Sequence, residues 1–321
     1  MSAIGVGDRN DAVAVSTKRR SATSSQSLWK RMWRARGAYL FIAPFFILFA
    51  VFGIYPIVYS LVLSLYSWSG FDEKVFVGLE NFQSLMQDSL FWLSLKNTVI
   101  MWLGHIFILI VFAIALALLL NRPWVRGRGV YRAIAYIPNT AAIAAMALSF
   151  QLIFDYQYGI LNQVLNQLGI ENINWTGSSS WSKVAIILLN IWNMLGWYML
   201  IILAGLQSLD PQLYEAAAID GAGAFRKLVH VTLPGLRPTI FFVFVVETIG
   251  SLQIFTEPYV LTKGGPSNSS LSLAMYLYQN GFEYFRIGYA ASMSVVLFVL
   301  TIAATLLLTL VWRGDLFNNE H

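Results

Sequence analysis

Cysteine is absent from the 321 residues, which removes disulfides, thiolate metal sites and thiolate catalysis. Charge is scarce too. Asp, Glu, Lys and Arg make up 12% of the chain against 57% hydrophobic residues, with a mean hydropathy of +0.63, whereas a soluble domain carries about a quarter charged residues. So few charges cannot coat the cores that a soluble chain of this length would form. Disordered, collagen-like and disulfide-scaffold classes fail on composition as well. No GxxxxGKS or GxxxxGKT run occurs, so no P-loop for ATP is expected in this chain. HExxH pairs, a GxSxG elbow and paired metal carboxylates are missing, which leaves an intramembrane enzyme without recognisable machinery. His105, His230 and His321 form no metal-ligand pattern, and His105 reads as a hydrogen-bonded packing residue.

Long apolar runs are what the sequence does have. A membrane-spanning helix needs about 20 predominantly apolar residues. Six windows meet that length, near Tyr39 to Tyr66, Thr98 to Leu120, Ala133 to Ile153, Val184 to Leu206, Thr239 to Phe255 and Ile287 to Trp312. Pro44 and Pro56 lie in the first and Pro138 in the third, which is tolerable where neighbours satisfy the freed carbonyl. The runs are continuous rather than alternating, so a β-barrel is a poor fit. The expected class is an all-α integral membrane protein with six transmembrane helices.

Loop charge gives the orientation. Sixteen of the 21 Lys and Arg residues fall in the tail 1–38, the second-to-third and fourth-to-fifth connections and the C-terminal tail; Lys74, Lys96, Lys183, Lys263 and Arg286 fall on the other side. Basic short loops stay in the cytoplasm, so both termini are expected inside. The net charge of +5 therefore reports topology, and no nucleic-acid partner is expected. Residues 1–37 read as a basic cytoplasmic tail, 38–313 as the membrane domain and 314–321 as a short cytoplasmic tail. Because a full-length span follows the basic Lys18–Ser27 stretch, the tail does not read as a cleavable signal. Its Leu28–Arg36 segment, LWKRMWRAR, is either an interfacial helix on anionic lipid or an ordinary basic flank.

The cytoplasmic loop 210–238 carries helix signals. Asp210 suits the N-cap and Pro211 the first helical position, with Glu215 near the positive end of the dipole. Ala216, Ala217 and Ala218 favour helix, and Gly221 can leave it in the left-handed conformation. A second short helix is expected from Ala224 to Thr232, stopping before Pro234. A helix of about ten residues is marginal alone, so it must pack on something.

The order Glu215-Ala216-Ala217, Gly221, then Val231, Leu233 and Pro234 resembles the EAA loop of binding-protein-dependent ABC importer permeases, with Val231 where Ile is commoner. Ala43-Pro44, Tyr55-Pro56, Phe76 to Phe82, Asn97-Thr98, Tyr158-Gly159, Leu161-Asn162 and Tyr259 to Thr262 before Gly264-Gly265-Pro266 resemble the sugar branch, the maltose and glycerol-phosphate type. The likeness covers roughly residues 38 to 313. It implies a type I importer permease fold in a bacterial or archaeal cytoplasmic membrane, and transport without an ATPase site in this chain. ATP and Mg would be bound by two partner ATPase subunits. A second similar permease, membrane lipid and an extracytoplasmic sugar-binding protein would complete the partners. Glu215, Ala216, Ala217, Gly221, Leu233 and Pro234 would form the ATPase-coupling element.

A sugar site combines aromatic platforms with amide and carboxylate partners, and polar residues in spans are costly enough to be site candidates. In the fourth span these are Asn190, Trp192, Asn193 and Trp197, with Asn190, Asn193 and Trp197 on one helical face. In the fifth they are Glu247, Gly250, Ser251 and Gln253. These are the expected substrate-pathway residues, in the segments where maltose-type permeases hold sugar. Polar residues also join helices by hydrogen bonds, and Trp favours membrane interfaces, so a packing role stands beside the pathway role. Glu247 is the only acid assigned to a span, with no evident counter-charge, and Glu257 is assigned to the outer loops. A secondary transporter driven by an ion gradient, with Glu247 as proton site, is the alternative; it leaves the EAA spacing unexplained. The outer loop from Phe154 to Lys183 reads as a cap on the pore or a contact for a solute receptor.

Overall fold

A computed structural model describes residues 36–317; the Leu28–Arg36 segment lies, but for its last residue, outside the described residues. Among the described residues four helices are long and apolar enough to cross a membrane, and two bent helix pairs bring the number of possible spans to six. The first span comprises α1 (Arg36–Phe49), a π turn (Ala50–Ile54) and α2 (Tyr55–Leu63). A two-rung antiparallel hairpin follows, β1 (Tyr66–Ser67) pairing Tyr66 with Phe76 and Ser67 with Val75 of β2 (Val75–Phe76). Next come α3 (Glu80–Gln87), α4 (Ser89–Asn121), α5 (Arg128–Thr140), α6 (Ile143–Ile153), α7 (Ile160–Gln167) and α8 (Trp181–Gln207). The chain ends with α9 (Pro211–Ile219), α10 (Ala224–Lys227), α11 (Leu233–Gly235), α12 (Arg237–Leu252), α13 (Leu273–Tyr278) and α14 (Ile287–Phe317).

The described residues fall into two compact units, divided between Pro56 and Ile57. In the second, α4 and α8 are the central pair. Ile106, Leu109, Ala113, Ala117 and Leu120 of α4 meet Tyr198, Met199, Ile202 and Leu206 of α8, and Leu236, Ile240 and Val243 close the cluster at the basic end. A second core joins Met101, Met146, Phe154, Trp175, Ile186 and Leu189, and a third sits under α3 and α13 around Leu85, Phe91, Leu273 and Met293. In the first unit Leu40, Phe41, Phe45 and Phe52 are exposed, as side chains facing lipid or a neighbouring membrane subunit can be when there is no water to avoid.

Three expectations need correction. The window Ala133–Ile153 is not one continuous span: α5 and α6 meet at 99°. Pro138 lies inside α5, which runs to Thr140, and the bend falls at Ala141 and Ala142, both extended (ψ 151° and 123°). The fifth window ends at Leu252 rather than Phe255, and α12 bends by 62° from the Ala224–Gly235 helix before it. That preceding helix does not stop before Pro234. Leu228–Thr232 forms a π turn in which the Leu233 N–H donates to the Leu228 carbonyl, and α11 carries Pro234 onward. The first span repeats the device, with Ala50–Ile54 as a π turn ahead of Pro56. A proline ring clashes with the carbonyl four residues earlier in an α-helix; the wider π turn shifts that carbonyl, so the chain stays helical through both prolines.

Candidate functional site

The loop at the basic end folds as a helical hairpin. Asp210 caps α9 by accepting from the Gln212 N–H at 2.9 Å. Gly221 leaves with φ +73°, its N–H donating to Ala218 and that of Ala222 to Ala217, the exit geometry expected of a glycine-terminated helix. The Tyr214 hydroxyl meets the Thr232 hydroxyl at 3.0 Å, tying α9 to the π turn after α10. Glu215, Ala216 and Gly221 are exposed, Ala217, Leu233 and Pro234 half-buried. Leu213, Ile219 and Phe225 stand exposed at 52, 87 and 76%, an apolar rim on a loop otherwise lined by charge. Beside the hairpin lies a cavity of about 820 Å³ lined by Arg122, Tyr214, Phe225 and Lys227.

The intramembrane polar residues separate into two sets. Asn190, Asn193, Glu247 and Ser251 are buried, whereas Trp192, Trp197, Gly250 and Gln253 are exposed. Asn193, on α8, donates its amide to the Pro138 carbonyl at 2.9 Å. The same carbonyl accepts from the Ala141 N–H at 3.3 Å, so the end of α5 is held by one backbone and one side-chain donor. Directly beside it Gly196 lets α8 touch α5: a Cβ there would lie 1.8 Å from the Ala135 carbonyl oxygen. Trp192 packs on Phe150 (5.1 Å between ring centres) and Trp197 on Tyr136 (6.1 Å), each keeping more than two-fifths of its surface open. Gln253 lines a groove of about 490 Å³ between α12 and α14, with Ile249, Ser294 and Thr301.

Glu247 is not without a partner, as the sequence suggested. Its Oε1 lies 2.8 Å from His105 Nδ1 of α4 and accepts from the Ser251 hydroxyl at 2.5 Å. The expected hydrogen-bonding role of His105 is met by this carboxylate. His105 Nε2 is buried with no partner among the described residues. The cheapest neutral arrangement therefore puts the proton on Nδ1, facing the carboxylate, because a proton on Nε2 would be a buried unpaired donor. One helical turn away, the Trp102 indole donates to the Thr248 hydroxyl at 3.1 Å. Two residues of α4 thus hold two of α12.

Glu257, assigned to an outer loop from sequence, is buried and accepts from the Asn190 amide at 2.9 Å. Thr256-Glu257-Pro258 interrupts an apolar stretch running to Leu261, and an acid in such a stretch was the available signal. The outer segment after α6 is organised by Asn162, which donates to the Tyr156 and Ile173 carbonyls and accepts from the Trp175 indole.

Comparison with known proteins places the chain among transporters. Residues 109–314 match the model of the binding-protein-dependent transport system inner membrane component. The lactose transport system permease protein LacF of Rhizobium radiobacter is 40% identical over 281 residues, covering 86% of this chain and 93% of that protein. The sulfoquinovosyl glycerol transport system permease protein SmoG of Agrobacterium fabrum is 38% identical over 271 residues, 84% and 87% of the two chains. The trehalose/maltose permease protein MalF of Thermococcus litoralis is 35% identical over 282 residues, 87% and 94%. In fold, the chain is similar to a bacterial ABC transporter involved in import of the acidic polysaccharide alginate, with a TM-score of 0.77 at 24% identity over 90% of this chain and 99% of that one. A helical membrane chain with broken third and fifth spans and an exposed, capped EAA-type hairpin at its basic end therefore belongs to the family of binding-protein-dependent transport system inner membrane components.

Proposed function

We propose that this chain is the permease subunit of an ATP-driven importer for a neutral or weakly charged sugar, with both termini cytoplasmic. The α9–Gly221–α10 hairpin carries the reading. It is braced from within by the Tyr214–Thr232 contact, yet exposes Ile219 and Phe225, the arrangement of a rigid knob that enters a cleft on another protein. In this reading Glu215, Ala216, Ala217 and Gly221 face the ATPase, while Leu233 and Pro234 join the hairpin to α12. ATP and Mg reside on two partner ATPase subunits. A second similar permease completes the pathway, and an extracytoplasmic binding protein delivers the sugar. Relatives named for lactose, sulfoquinovosyl glycerol and trehalose/maltose transport support the substrate class.

Within the pathway, the exposed Trp192, Trp197, Gly250 and Gln253 are positioned to meet sugar. The buried Asn190, Asn193, Glu247 and Ser251 set the geometry of the helices that carry them. Import is then an exchange between two conformations, biased by the ATPase at one end and the loaded receptor at the other. The test is reconstitution of the assembled complex with a panel of sugars. ATP drives uptake and a proton gradient alone does not; uptake driven by a proton gradient without ATP overturns the proposal in favour of a secondary transporter.

A further inference from the structure

At the end of the spans opposite the basic loops, a separate polar cavity of about 590 Å³ opens between the hairpin region, α3 and the start of α14. That volume lies within the usual range of small-molecule sites, about 300–1,000 Å³. Its floor is braced by Asp88. One carboxylate oxygen accepts from the hydroxyls of Tyr276 (2.6 Å) and Tyr289 (2.7 Å), and the other caps α4 through the Leu90 N–H. Burial alone would raise the Asp88 pKa; the phenol and amide hydrogen bonds outweigh it and hold the carboxyl below its ordinary value. Tyr276 is pushed up to about 12 by burial and by that carboxylate, so it stays a donor. Trp68 forms part of the wall, its indole held by the Asp72 carbonyl at 3.1 Å and the Lys74 ammonium 4.4 Å from its ring centre.

Unspent hydrogen-bonding capacity also lines this cavity. Asp72 uses Oδ1 for the Ser69 amide and hydroxyl, while its Oδ2 has no partner among the described residues. The Arg286 side chain forms no hydrogen bond or ion pair among them, and neither does the Ser84 hydroxyl. Asn81 spends its amide N–H groups on the Ser64 and Tyr66 carbonyls, leaving its oxygen as an acceptor. Two carboxylates face one guanidinium in the lining, with Lys74 just behind Trp68. The charges nearly cancel, so neither an anion nor a cation is favoured. A neutral ligand with several hydroxyls, each able to donate and accept, can use the free donors and acceptors together, and an apolar ring edge can pack on the aromatic wall.

We propose that this outer cavity is a binding site for a neutral polyhydroxylated ligand, a sugar, distinct from the mid-membrane residues. Its identity as a sugar rather than another polyol rests on the cargo reading above. Arg286 and Asp72 supply the hydrogen bonds, Trp68 the apolar wall, and Asp88 positions the two phenols. Nothing in the established family membership requires a sugar contact at this face.

The assembled full-length complex in nanodiscs, without binding protein, is titrated with lactose, trehalose and maltose by saturation-transfer NMR. Saturable binding of at least one is expected in the wild type. Arg286→Ala and Asp72→Asn weaken it about ten- to hundredfold, as loss of a charge-assisted hydrogen bond does, whereas Glu171→Gln, an exposed outer-loop change outside the cavity lining, leaves it unchanged. Arg286→Lys, which keeps the charge, controls for folding and retains intermediate affinity. Absence of saturable binding in the wild type overturns the proposal. So does an Arg286→Ala variant that keeps sugar affinity but loses capture of the sugar-free binding protein, which makes the cavity a protein-docking pocket. ATP-driven uptake with no binding here sinks this inference alone; binding here without ATP-driven uptake sinks the importer reading alone.

Discussion

Breaking the His105–Glu247 pair tests how α4 and α12 are joined. The two side chains are 3 and 5% exposed and meet at 2.8 Å. Glu247→Ala removes the acceptor of both His105 and Ser251 and strands two buried polar groups. His105→Ala leaves the buried carboxylate short of one donor, with the Ser251 hydroxyl still bound. Removing one member of such a buried hydrogen-bonded pair costs about 1.5–3 kcal/mol, the range for a hydrogen bond to a charged group, because the other is left under-satisfied. Removing both eliminates that penalty, so the double variant should cost clearly less than the two single effects added, with a coupling of about 1 kcal/mol or more. With an unfolding entropy of about 2.1 cal/mol/K per residue, 1 kcal/mol moves the melting temperature of a 321-residue chain by about 1.5 °C, so each single variant falls by about 2–5 °C. Fluorescence-detected thermal unfolding in detergent reads all three. Strict additivity, with a coupling below about 0.5 kcal/mol, refutes the pairing and returns Glu247 to the role of a free acid in the pathway. If the pair is a brace, Glu247→Gln lowers stability more than it changes half-saturation for sugar; a large rise in half-saturation with unchanged melting supports direct sugar contact instead.

Other perturbations follow from the same geometry. Gly196→Ala places a methyl 1.8 Å from the Ala135 carbonyl oxygen, so α5 must move off α8 by roughly 1.5 Å to restore van der Waals distance; a cost of about 1–3 kcal/mol and loss of uptake at normal membrane expression are expected, and wild-type melting rules out the contact. Glu215→Ala combined with Gly221→Asp, which forces a side chain into φ +73°, should leave sugar binding intact and reduce ATP-driven uptake at least tenfold; unaltered uptake removes the coupling role. Trp192→Ala and Trp197→Ala should each raise half-saturation several-fold, since each keeps more than two-fifths of an aromatic platform open, and unchanged transport kinetics in both sink their assignment. Asp88→Asn disturbs two phenol bonds and the α4 cap, costing about 1–3 kcal/mol. Because the folded-state pKa is depressed, this stability is present above the unfolded value of about 3.9 and is lost as pH falls through the folded value. The difference in melting between wild type and variant should thus persist from pH 7 to pH 5 and shrink only under stronger acid; a difference that vanishes between pH 7 and pH 6 contradicts the assignment.

Local chemistry made much of the fold legible in advance. Uninterrupted apolar runs located α4, α8 and α14 within a few residues at their basic ends, because a bilayer leaves a helix as the way to satisfy every backbone group. Asp210, Pro211 and Gly221 marked both ends of α9, since cap and left-handed exit depend on neighbours within one turn. Proline was read less well. The helix carrying Pro138 ended two residues later, at extended Ala141 and Ala142, where continuity was expected, and Pro234 failed to end one because the backbone before it widens into a π turn.

Pairing across the membrane was beyond any single-segment reading. Helical spacing put Asn190 and Asn193 on a common face, but only the position of α5 and of the Glu257 turn decides that both amides point inward to Pro138 and Glu257 rather than to a lumen. Trp192 and Trp197 stay open because α8 buries the opposite side against α4. Glu247 looked like an acid without a counter-group because its partner lies 142 residues away by numbering, on another span. The sequence alone determined that this is a membrane protein and that its fourth loop is a capped helical hairpin, both consequences of local composition and turn chemistry. Which polar groups satisfy one another and which remain open to a ligand was decided by tertiary packing, since a buried donor must take whatever acceptor the neighbouring helix brings within about 3 Å.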